Sequence, residues 1–258
     1  MQRIYLRFFL LYNERSEQHY AIPTGRTGGQ ISPGEKIFRE KNRLRNRSPY
    51  EKKEDHLMDF TKIITALKTR GYEVSSFASA KDAADYLNKK IDGCTVGFGD
   101  SETLLDMHLF EMLQTHNDVY HPKYPREGKG FYSTARDCLT TEIFLLSANG
   151  IAETGEIVNI DGTGNRIAGS LYGHKKVYFV ISRNKICPTL EEAAFRARNV
   201  AAPLNARRHE YKTPCAIKLD RCYDCRSPQR ICSAQTIYWR KINHMDMEIV
   251  LIDEDMGY

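Results

Sequence analysis

Ser147–Arg166 reads SANGIAETGEIVNIDGTGNR. Gly150, Gly155, Gly162 and Gly164, with Gly169 just beyond, let the backbone reach left-handed conformations and approach a ligand closely. Glu153, Asp161 and Arg166 supply charge, and Thr154, Thr163 and Asn165 supply hydrogen bonds. The apolar run Ile143–Ala148 leads into this stretch, and the β-like run Glu156–Ile160 divides it. The pattern predicts two polar loops at strand ends, where open α/β sheets place their ligand sites. A pair of plain hairpin turns is the simpler account, but turns rarely need so many different polar groups.

Outward from this stretch, strands and helices alternate. Phe60, Ile63, Ile64 and Leu67 form one helical face, with Gly71 as its C-terminal cap. A strand is expected at 72–77, a helix capped by Ser79 over 80–91, a buried strand at 94–99 and a helix over 101–114. Further strands are expected near Val119 and at 142–147, 156–160, 176–182 and 247–253. Helices are expected near 134–139, after Thr163, and over 189–209, the last with a capping box at Thr189–Glu192 and an interruption near Pro203. The alternation predicts an α/β fold: a mostly parallel sheet in three layers, with helices on both faces.

The chain has 258 residues, 41% hydrophobic and 28% charged, as expected of a globular protein with ample length for a core. No apolar run has the length of a membrane span, and Ile4–Tyr12, broken by Arg7, does not make a signal peptide. A cytoplasmic protein is expected. Residues 1–57 carry 12 basic and 7 acidic side chains, so the whole net charge of +5 lies there. The neutral remainder carries no electrostatic argument for nucleic acid. The turn-rich and charge-rich composition of 26–55 predicts a disordered basic tail. Lys53-Glu54-Asp55 is compatible with a bacterial ribosome-binding sequence upstream of Met58, so residues 1–57 are expected to be a mis-assigned leader and 58–258 the domain.

Gly97-Phe98-Gly99-Asp100-Ser101-Glu102-Thr103 joins a strand to a helix. Backbone N–H groups reached through Gly97 and Gly99, with Asp100, Ser101 and Thr103, make an anion site at a helix start; a Ser-capped helix is the other account. The loop lacks the lysine of a P-loop and the spacing of a dinucleotide fingerprint, and its two acids disfavour a highly charged phosphate, so no nucleotide cofactor is expected. His56, His108, His116, His121, His174, His209 and His244 read as surface or core residues, and Cys94, Cys138 and Cys187 as buried small hydrophobes.

Four other cysteines stand apart, as Cys215-x6-Cys222-x2-Cys225-x6-Cys232 within the segment 213–232. A Cys-x2-Cys pair clasps a metal from both sides of a turn, and two flanking cysteines complete four thiolates. Lys218, Arg221, Arg226 and Arg230 would favour the charged sulfur. Structural zinc, a [4Fe–4S] cluster and a redox dithiol at Cys222/Cys225 all fit.

Taken together, Val96–Leu105, Ser147–Ile186, Arg196–Arg208 and Cys222–Cys232 resemble the LUD (lactate-utilisation) domain family, in its stand-alone sub-branch with a C-terminal cysteine motif. The resemblance runs from about Met58 to Tyr258. It implies a fold like the CoA-transferase and ribose-5-phosphate-isomerase superfamily. It also implies a bacterial role in oxidation of lactate to pyruvate, beside iron–sulfur lactate-oxidation subunits. On the first reading the chain binds a small carboxylate, with Arg166 as its bidentate partner and loop 97–103, Thr154, Gly155 and the Gly162–Asn165 turn around it. On the second it is a CoA-transferase-like or isomerase-like enzyme, with Glu153 as nucleophile or base beside Asp161; a hydrogen-bonded turn residue is the alternative for Glu153. On the third it is an iron–sulfur or zinc module. Both glycine-rich loops are expected to face loop 97–103 across one cleft.

Overall fold

The computed structural model describes residues 58–258. The expectations of a disordered tail and a leader fall on residues outside this range. The chain forms α1 (Thr61–Thr69), β1 (Glu73–Phe77), α2 (Ala80–Lys90), β2 (Thr95–Phe98), α3 (Glu102–Asp106), α4 (Leu109–Leu113) and β3 (Asp118–Tyr120). There follow α5 (Phe131–Cys138), β4 (Ile143–Leu146), β5 (Gly150–Ala152), β6 (Ile157–Asp161), α6 (Asn165–Leu171) and β7 (Lys176–Ser182). A 3₁₀ turn (Arg183–Lys185) precedes β8 (Ile186–Cys187), α7 (Leu190–Arg196), α8 (Ala202–Arg208), α9 (Pro214–Lys218), β9 (Ala234–Tyr238) and β10 (Asp246–Ile252).

Six strands form one wholly parallel sheet in the order β1-β10-β7-β4-β2-β3. Both faces are buried, and side-chain alternation sorts the strands into two cores. Val177, Phe179 and Ile181 of β7 join α1 and Cys138 of α5 on one face, while Tyr178 and Val180 join α2, α3 and α4 on the other. This is the expected α/β sheet with helices on both faces. Among the described residues no helix is long and apolar enough to cross a membrane.

A second sheet, β8-β5-β6-β9, was not expected. Its β5–β6 and β6–β9 pairs are antiparallel. It lays Ile151, Ile157 and Tyr238 on the main sheet, and Ala152, Val158 and Ile160 under α7 and the residues that follow it. β8 and β5, of two and three residues, leave too little alternation to read from sequence.

Local signals account for the boundaries. Gly71, at φ +88°, ends α1, with the Tyr72 N–H on the Leu67 carbonyl and its own N–H on the Lys68 carbonyl, the paired bonds of a Schellman cap. Ser79 and Thr189 each accept a backbone N–H three residues on. The helix expected over 101–114 divides at His108, whose φ of 53° leaves the helical region. Near Pro203, Ala197–Ala201 widens into a π-turn that joins α7 to α8, because proline has no N–H for the carbonyl four residues back.

Candidate functional site

Because the main sheet is wholly parallel, the chain leaves β2, β3, β4 and β7 along one edge. That edge gathers Asp100 after β2, His121 after β3, Ser147 after β4 and Lys185 after β7. Open α/β sheets bind their ligands at this edge.

Loop 97–103 and the 161–166 turn meet there. A Cβ on Gly99 would lie 3.2 Å from Arg166 Cγ and 3.1 Å from Leu146 Cβ, so the stem of Arg166 crosses the loop closely enough that a side chain there would need a neighbour to shift by a few tenths of an ångström. Arg166 Nη2 donates to the Ile160 carbonyl at 2.9 Å and lies 3.6 Å from Asp161 Oδ1. Asp161 is buried, and its Oδ2 accepts the N–H groups of Arg166 (3.0 Å) and Ile167 (3.2 Å). It therefore caps α6 and holds Arg166 in place. Thr163 is exposed, Gly164 and Asn165 are half-buried, and Gly162 packs on the backbone of Ile231, where a Cβ would lie 2.7 Å from the carbonyl oxygen.

In loop 97–103 the residues serve different ends. Gly97 lets α5 close on β2, since a Cβ would lie 2.6 Å from the Cys138 carbonyl. Asp100 has a left-handed backbone, φ 48°, which a non-glycine residue rarely adopts. Burial raises its pKa, but Arg208 foremost, then His121, Arg166 and His209, hold it below the usual carboxylate value. Ser101 is buried at the N-cap of α3 without a side-chain capping bond. Thr103 is fully buried and accepts Lys185 Nζ at 2.6 Å.

Three contributors, Lys185, Arg196 and Arg208, lie in stretches that carry the resemblance, but no motif singles them out. Lys185 is 2% exposed and donates to Thr103 and to Ser147 Oγ (2.8 Å); among the described residues it has no ion pair. Burial lowers its pKa well below the ordinary lysine value, and Arg196 lowers it further. Arg196 donates to the Asn184 and Asn149 carbonyls at 2.8 and 2.6 Å, also has no ion pair among the described residues, and is pushed down to about 10 by burial. Arg208 pairs with Glu102 and, at 3.4 Å, with Asp100.

His121 and His209, which read as ordinary histidines in sequence, also face this edge through Asp100 and Arg208. Burial brings each imidazole down to about 4. His121 Nδ1 accepts the Lys123 N–H at 3.1 Å, which leaves the neutral ring its proton on Nε2, and Nε2 is buried without a partner among the described residues.

Glu153, Thr154 and Gly155 lie elsewhere. They form the tight turn between β5 and β6, with Gly155 at φ +94°. Glu153 pairs with Lys62 at 2.5 Å, the Thr154 carbonyl accepts Arg70 Nε at 2.6 Å, and Gly155 packs on Arg70. The expected single cleft is therefore corrected: 161–166 meets loop 97–103, and 153–155 meets α1. The reason is the length of β6, five residues or roughly 16 Å of strand between the two turns.

The four C-terminal cysteines line one cleft with Arg198, Ala202, Ala206, Thr213 and Arg230. All are half-buried free thiols. Of the basic residues expected around them, Arg230 touches sulfur, at 3.3 Å from Cys232 Sγ, while Lys218 and Arg221 stack on Tyr223. Arg198, from the π-turn, supplies a second contact, at 3.3 Å from Cys222 Sγ.

No curated protein sequence matches the chain significantly. Among solved structures it is similar to a DUF162 family protein from Deinococcus radiodurans, with TM-score 0.41 and 13% identity over 76% of this chain and 99% of that one. It is also similar to translation initiation factor eIF-2B from Pyrococcus horikoshii OT3, with TM-score 0.30 and 17% identity over 44% of this chain and 49% of that one. The model of the LUD domain matches residues 60–252, three-quarters of the chain, and the chain therefore belongs to the LUD domain family.

Proposed function

We propose that this chain is a LUD-domain component of bacterial lactate utilisation and holds a small carboxylate at the edge formed by loop 97–103, Arg166 and Lys185. Family membership supports the lactate-related role. The observation that carries the ligand class is a convergence of buried and half-buried basic side chains. Arg208 pairs with Asp100 and Glu102 and Arg166 with Asp161, whereas Lys185 and Arg196 donate to hydroxyl and carbonyl oxygens, with the Asp106 and Asp255 carboxylates near enough to act on them. Burial penalises the charged form of both groups, and a bound carboxylate would favour it. The unpartnered Nε2–H of His121 is a further donor for an oxygen-rich ligand. On this reading the protein works in the cytoplasm with iron–sulfur lactate-oxidation subunits as partners.

Calorimetric titration of the full chain with lactate, pyruvate and the uncharged lactamide tests the ligand class. Binding of the two acids, lost in Arg166→Ala, is expected; equal binding of lactamide would remove the carboxylate reading. Lactate-dependent growth of a deletion strain tests the pathway, and unchanged growth would count against it.

A further inference from the structure

Among the described residues Lys185 is the only buried lysine. Its Nζ meets two hydroxyl groups from two other strand ends, Thr103 Oγ1 at 2.6 Å, beyond β2, and Ser147 Oγ at 2.8 Å, just after β4. Thr103 is buried, whereas Ser147 is half-buried. A further segment covers the amine. A Cβ on Gly257 would lie 2.6 Å from Thr103 Oγ1 and 3.3 Å from Lys185 Nζ, so the backbone after β10 closes directly over it. That cover, residues 255–258, belongs to no strand or helix, and Ser182 Oγ holds it by donating to the Met256 carbonyl at 2.8 Å.

These surroundings suit a lysine that acts as a nucleophile. An amine attacks a carbonyl carbon only with its lone pair free, and burial beside another cation favours that form. Burial, and after it Arg196, brings the Lys185 amine well below the ordinary lysine pKa; Asp106 offsets this in part, and Arg166 adds to it. A hydroxyl group accepts one proton while it donates another, which the addition of an amine to a carbonyl requires. Arg166 supplies the second half of the site. Its stem passes Gly99, in the loop that carries Thr103, where Leu146, the neighbour of Ser147, also packs. A ligand with a carbonyl beside its carboxylate would place the charge on Arg166 and the carbonyl carbon at Lys185.

We propose that Lys185 forms an imine with the carbonyl group of a small 2-oxo acid held at this edge. The proposal rests on the reading of the edge as a carboxylate site and names the chemistry of its ligand. The segment 255–258 gives way to admit the acid. The Nζ lone pair then attacks the carbonyl carbon, and the π pair of the C=O bond moves to its oxygen. One amine proton passes through the Ser147 hydroxyl to that oxygen, which gives a carbinolamine. The second amine proton follows as the C–O bond breaks, so one water leaves and a C=N bond remains. Nothing is oxidised or reduced.

The test is reductive trapping on the full chain with pyruvate as the probe and cyanoborohydride as the reductant of the imine. One adduct is expected, of the mass of pyruvate less one water plus two hydrogens, mapped by peptide mass spectrometry to Lys185. Lactate, which has no carbonyl beside its carboxylate, is expected to give none. Lys185→Met should lose the adduct, and Lys62→Arg, at an exposed lysine, should keep it. Ser147→Ala is expected to slow trapping by about a hundredfold while calorimetric binding of pyruvate persists. Peptide mapping of the parent reads the site directly, so the result does not hang on whether a variant folds. Pyruvate that binds but is never trapped on Lys185 would overturn the imine and leave the carboxylate site standing; pyruvate that neither binds nor is trapped would remove both. Adducts spread evenly over exposed lysines would also overturn the proposal.

Discussion

Lys185 Nζ lies 2.6 Å from Thr103 Oγ1 across 82 residues of sequence, fully buried, with only hydroxyl groups accepting from it. The pair joins the exits of β2 and β7 into one edge. Burial of this amine, which Asp106 offsets only in part, penalises its charged form in the ligand-free protein. Lys185→Met is therefore expected to hold or raise the ligand-free Tm, by up to about 1–4 kcal/mol in stability, and to abolish the Tm increase that lactate gives the parent. Thermal melts with and without lactate check this; a retained lactate shift would place Lys185 outside the site.

Glu153 reaches Lys62, which is 69% exposed, and not the edge where Arg166 lies. An exposed ion pair contributes about 0–1 kcal/mol. Glu153→Gln is expected to change urea stability by less than that and to leave carboxylate binding intact. Loss of a measured turnover in this variant would restore the enzyme reading with Glu153 as nucleophile or base.

Gly99 is where the backbone makes room for Arg166. Gly99→Ala would set a methyl 3.2 Å from Arg166 Cγ and 3.1 Å from Leu146 Cβ, and the arginine is the side able to give way. Carboxylate affinity is expected to fall about tenfold or more, with a stability loss of about 1 kcal/mol. The double variant with Arg166→Ala should bind no worse than Arg166→Ala alone; an additive loss would show that Gly99 acts independently of the arginine.

His121 titrates against the fold. Burial brings its imidazole from 6.5 down to about 4, against the upward pull of Asp100. The unfolded chain therefore takes the proton first, so the stability from this group is complete above about pH 6.5 and is lost as pH falls toward 4. Between pH 7.5 and 5 the parent is expected to lose about 2 kcal/mol more than His121→Phe. Urea midpoints at the two pH values measure the difference, and parallel loss in both proteins would show that His121 does not carry it.

Residues whose roles are set by near neighbours are legible in the sequence itself. Gly71, Ser79 and Thr189 act through bonds to residues within four positions, and the apolar runs of β4, β7 and β10 are buried on both faces, so their patterns mark them directly. The same holds for the Cys-x2-Cys turn and for Asp161 and Arg166 as a local pair. Only the tertiary structure decided which polar groups share a site. Lys185 sits in an unremarkable RNK turn, and Arg208 and Arg198 belong to one helical stretch yet reach different places, loop 97–103 and the cysteine cleft. Conversely, Glu153 and Arg166 stand in one glycine-rich stretch, and a single strand carries them apart. Chain proximity governs caps and turns, because backbone bonds reach only a few residues. Charge compensation in a buried site depends on which strand ends the parallel sheet sets side by side, and that ordering is a property of the packed sheet and its helices.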